Sequence, residues 1–209
     1  MRKDEGQAFP IYLTAVGGLL FLAFVFFAVA QSAVGKNKDQ GAADAAALAA
    51  AQDARRGLHL GWINNITRAE QWDHYLNARS PESGCARASE FAAENDSRVT
   101  ACERVFWPTG IRVETLADKR VGDSLVPGTE NAPVKSAATA VIEPRCSFVP
   151  IPAPIGATGA PRVLPLMQLV CHGVPWPPID LEILATMPPE AVRALLPSAE
   201  DLFSVHLKD

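Results

Sequence analysis

An uncharged apolar run near the N-terminus constrains this chain more than any other feature. Residues 11–30 read IYLTAVGGLLFLAFVFFAVA, and the first charged residue after Glu5 is Lys36. A helix of this length spans roughly 30 Å, which is the thickness of the hydrocarbon core of a bilayer. No ionisable group would have to be desolvated within it. The sequence therefore predicts one membrane-crossing helix.

The position of this run suggests a division of the chain into four parts. We expect a cytoplasmic leader at residues 1–10, a transmembrane helix at 11–34, an alanine-rich helical stalk at 35–56 and an exported domain at 57–209. The alternative is a cleaved secretory signal peptide, because Ala28-Val29-Ala30 resembles a small-residue cleavage site. The apolar run is longer than the usual signal-peptide core of about 7 to 15 residues. Both interpretations predict that the C-terminal part is exported. With a transmembrane helix the chain is a cell-membrane protein with an extracellular C-terminal domain, and with a cleaved signal peptide that domain is released.

Four cysteines favour an oxidising location for that domain. Cys85, Cys102, Cys146 and Cys171 include no C-x-x-C pair of the zinc or redox type. Of the three possible pairings we favour Cys85 with Cys102 and Cys146 with Cys171, because each pair brackets a compact segment. Disulfides persist outside the reducing cytosol. The alternative is four buried thiols in a reducing compartment.

Local patterns downstream predict an α+β domain in which a small antiparallel sheet packs against helices. Alanine, the best helix former, extends the membrane helix to about residue 56. We expect further helices at 62–78, 85–95 and 189–196 and strands at 99–113, 112–120, 137–143 and 202–207, with a turn at 108–110. Prolines recur between residues 144 and 178, which predicts an extended loop there.

Composition and motifs indicate no catalytic or cofactor chemistry. The net charge is −4 and lysine and arginine are scattered, so nucleic acid is not an expected partner. There is no H-E-x-x-H, phosphate-binding glycine loop or nucleophile elbow, and we expect no metal, cofactor or small-molecule substrate. Two alternatives remain. One is a membrane-anchored exported protein, unrelated to pili, that binds sugar or peptide through the proline-rich region and the tryptophans. The other is a hydrolase whose site is dispersed in sequence.

Two sets of small residues are candidate helix-packing positions. Thr14 and Gly18 lie four residues apart in the apolar run, as in membrane helix pairs. The second set follows the run and comprises Ala42, Ala43, Asp44, Ala46 and Leu48. Alanine lets another element approach closely, and that element is either the chain's own domain or a partner.

The N-terminal part of the chain resembles a known family. The motif GQAFPIY, the apolar run and AADAAALAAAQDAR are similar to Tad/Flp pilus-assembly proteins of the TadE/TadG-like group, over about residues 4–56. Shorter pieces, VGDSLVPGTE, ATAVIEPRC and DLFSVHL, resemble exported parts of TadG-related proteins. The resemblance implies a non-catalytic role in building or anchoring a type IV-like pilus. It also implies the lipid bilayer and other Tad pilus-assembly proteins or pilins as partners.

The same resemblance raises the question of prepilin-type processing. Related pilins are cut after a glycine that is followed five and six residues later by glutamate and tyrosine. A cut between Gly6 and Gln7 would place Tyr12 correctly, but Ile11 stands where the glutamate would be. In a polymerising pilin that glutamate pairs with the new N-terminus of a neighbouring subunit, which isoleucine cannot do. The departure argues against cleavage and predicts an assembly or minor component rather than the main filament subunit.

Overall fold

The computed structural model describes residues 8–79, 81–118, 134–151 and 166–208. Its helices are α1 (Ala8–Asn64), α2 (Trp72–Leu76), α3 (Cys85–Glu94), α4 (Leu181–Leu184), α5 (Pro189–Leu195) and α6 (Ala199–Leu202). Its strands are β1 (Ser97–Phe106), β2 (Thr109–Ala117), β3 (Lys135–Pro144), β4 (Cys146–Ile151), β5 (Leu166–Cys171), β6 (Val174–Pro175), β7 (Ile179–Asp180) and β8 (Phe203–Leu207). The predicted α+β class, with antiparallel sheets and an N-terminal apolar helix, is confirmed.

Helix α1 joins the apolar run to the core of the domain without interruption. It has 57 residues and is therefore about 85 Å long. The helix passes through Gly35 and Gly41 and continues beyond residue 56. Residues 43–63 supply much of the buried core, so the segment predicted as a stalk at 35–56 packs in part against the domain. The division of the chain into leader, membrane helix, stalk and domain stays a prediction. Small residues allow the start of α3 to pack directly on α1. At Gly84, an added Cβ would lie only 2.1 Å from the carbonyl oxygen of Ala50 in α1.

The predicted helix at 62–78 is also wrong, because the chain turns sharply after Asn64. The side-chain amide of Asn65 donates to the Gly61 carbonyl at 2.9 Å and to the Tyr75 hydroxyl at 3.1 Å. These bonds end α1 and fold the following segment back, as a 3₁₀ turn at Ala69–Gln71 and then α2. Apolar residues keep a helical spacing across this turn, so the periodicity of the sequence could not predict the break in the helix.

Strands β1, β2, β3 and β8 form one antiparallel sheet in that order, which we call sheet A. Helices α1 and α3 pack against it. The predicted strand at 99–113, with its expected turn at 108–110, forms the hairpin of β1 and β2, which turns at Trp107 and Pro108. The predicted strand at 112–120 corresponds to β2 as far as Ala117, and residues 119 and 120 lie outside the described residues. The predicted strand at 137–143 corresponds to β3, and the final strand is β8.

The described parts of the proline-rich segment form a second sheet, so the predicted extended loop is wrong at 144–151 and 166–178, and its part at 152–165 lies outside the described residues. In this sheet B, β4 and β6 flank β5, and β7 also pairs with β5. Pro150 lies in the edge strand β4 and Pro175 in the outer strand β6, whereas β5 contains no proline. Edge strands tolerate proline because one side of the strand needs no donor.

Both disulfides join neighbouring elements of the domain. Cys85 bonds to Cys102 and thereby links α3 to β1. Cys146 bonds to Cys171 across the β4–β5 pair. The sequential pairing expected from the sequence is confirmed.

Candidate membrane anchor and interaction surfaces

The first part of α1 projects from the domain as an uncovered apolar helix. Pro10–Phe27 has a mean hydropathy of 2.1, and none of this segment is buried by the rest of the chain. Leu19 is 68% exposed and Phe26 is 77% exposed. Large side chains at such exposure are stable only if lipid or a partner covers them. The segment is long and apolar enough to cross a membrane.

The two predicted packing residues in this segment lie on its open surface. The hydroxyl of Thr14 donates to the carbonyl oxygens of Pro10 and Ile11, at 3.1 and 2.9 Å. Apart from the backbone of its own helix and its two chain neighbours, Gly18 has no atom within 4 Å of the position a Cβ would occupy. A packing role for both residues stays a prediction. Tyr12 is exposed on the same helix, and Gly6 and Gln7 lie outside the described residues, so processing there also stays a prediction.

The second predicted packing set is covered mainly by the chain's own domain. Ala42, Ala43 and Ala46 are completely buried. Asp44 is half-buried and accepts a hydrogen bond from Gln40 at 2.8 Å. Leu48 is partly exposed. The sequence left open whether these residues pack against the chain's own domain or against a partner protein. The three alanines are covered by the chain's own domain.

The far end of α1 is tied to the C-terminal segment by polar contacts that the sequence did not reveal. Arg55 forms an ion pair with Glu200 at 2.5 Å. One turn further on, Nε2 of the His59 ring lies 3.0 Å from the Pro197 carbonyl oxygen. The partners are separated by 145 and 138 residues, so no local pattern could have identified them.

His59 makes the domain sensitive to mild acid. Burial lowers the pKa of its imidazole below the ordinary 6.5, although the Pro197 carbonyl and Glu200 act in the opposite direction. The unfolded chain therefore takes up a proton more readily than the folded chain. The free energy of unfolding is unaffected by this group above about pH 6.5 and falls as the pH drops below that value.

We expect His59→Gln to reduce the loss of stability between about pH 7 and pH 5, measured by urea unfolding of the full chain in detergent. Asp201 does not interfere, because the Ser198 hydroxyl and N–H lower the pKa of that carboxyl below 3.8. Its contribution is lost only in stronger acid. An unchanged slope between pH 7 and 5 would contradict the assignment to His59.

The tryptophans do not form a common binding groove. Trp62 and Trp72 are fully buried, and their rings meet edge to face at a centroid distance of 5.3 Å. Trp176 is partly buried. Trp107 is 95% exposed at the tip of the β1–β2 hairpin. The tryptophans therefore give no support to the sugar- or peptide-binding alternative.

The described residues offer little for chemistry. Among them, no three histidine, cysteine or acidic side chains are grouped so that they could hold a metal ion. The shallow depression between α1 and sheet A has a volume of about 460 Å³ and polar walls that include Gln40, Asp44, Arg112 and Thr139.

Comparison with known proteins supports the resemblance noted from the sequence. Residues 6–53 match the Tad family, described as Flp pilus-assembly TadE/G-like. The match confirms the suspected resemblance over the apolar segment and the alanine-rich part of α1, at residues 6–53. No curated protein and no solved structure matches the chain.

Proposed function

We propose that this chain is a single-pass membrane component of a Tad/Flp pilus-assembly or secretion machine, with its α+β domain outside the cytoplasm. It acts by contact, through packing of its membrane helix and through surfaces of the exported domain, and it has no catalytic role. Its partners are the lipid bilayer and other pilus-assembly proteins or pilins.

One observation supports this proposal above the others. The family match at residues 6–53 coincides with the part of α1 that runs from the uncovered apolar segment into the domain core. The matched segment therefore unites a membrane anchor with the element around which the domain folds. Two disulfides in the domain favour an oxidising environment.

The role of an assembly or minor component is supported by Ile11. An apolar side chain at this position cannot form the charge pair expected of a polymerising pilin. We therefore expect loss of the gene to abolish or strongly reduce piliation, with restoration by the full chain. We also expect sheared filaments to contain this protein in trace amounts or not at all.

Quantitative mass spectrometry of sheared filaments tests the second expectation, with the major pilin as the internal reference. Abundance close to that of the major pilin would contradict the minor role. Normal piliation of the deletion strain would contradict the pilus function itself. An Ile11→Glu variant provides a matched comparison, because it restores the carboxylate that the pilin pattern requires.

A further inference from the structure

We draw no further inference here: the strongest candidate, the pair of exposed aromatic side chains Phe106 and Trp107 at the tip of the β1–β2 hairpin, is an apolar surface patch, and nothing in the structure shows what covers it.

Discussion

Replacing Trp72 by alanine is expected to lower the free energy of unfolding by about 3–5 kcal/mol. Trp72 is fully buried, and its ring packs edge to face against Trp62 and Phe148 at centroid distances of 5.3 and 5.8 Å. Its Nε1–H also donates to the Ile66 carbonyl at 2.9 Å. The substitution therefore opens a cavity between α1 and sheet B and leaves the Ile66 carbonyl without this donor. Urea unfolding of the full chain in detergent, followed by tryptophan fluorescence, measures the loss.

Trp107 provides the matched control for this prediction. It is the same residue type in the same domain, but it is 95% exposed. We expect Trp107→Ala to change the free energy of unfolding by no more than about 0.5 kcal/mol. Similar losses for the two substitutions would contradict the assigned core. Trp72→Phe should fall between them, because it keeps one aromatic ring but loses part of the indole volume and the hydrogen-bond donor.

Two arginines in the middle of the apolar segment are expected to prevent membrane insertion. Leu19 and Leu20 lie at the centre of Pro10–Phe27, and both are exposed. Each arginine at the centre of a membrane helix costs about 2.5–3.5 kcal/mol, so the double substitution costs roughly 5–7 kcal/mol. The chain should leave the carbonate-resistant membrane pellet.

The control for this experiment is Leu60→Arg. Leu60 is 45% exposed and lies near the far end of α1, outside the apolar segment. This variant should remain in the pellet at the native level. Retention of the Leu19→Arg/Leu20→Arg variant in the pellet would contradict a transmembrane role for the segment.

Features encoded by neighbouring residues were predictable from the sequence. The apolar segment, the alanine-rich continuation and helix α3 each follow from composition over one continuous stretch. The disulfide pairing was also predictable, because each bonded pair is close in sequence, with separations of 17 and 25 residues. The family match covers the same N-terminal region.

Features that depend on particular side-chain contacts, or on a segment that returns from far along the chain, were not predictable. The turn after Asn64 depends on the hydrogen bond from the Asn65 side chain to the Tyr75 hydroxyl. The spacing of apolar residues does not predict this bond. Sheet B was not predicted because the many prolines of this segment argued against any strand. The central strand β5 contains no proline and lies between two edge strands. Similarly, the contact between His59 and Pro197 exists only because the C-terminal segment returns to α1.

The most direct test of the proposed topology is the membrane association and thiol state of the native chain, measured together in one fractionation. The expected result is a carbonate-resistant protein without free thiols, whose non-reduced peptides link Cys85 to Cys102 and Cys146 to Cys171. A soluble protein with four cysteines open to alkylation before reduction would contradict both the membrane anchor and the exported domain.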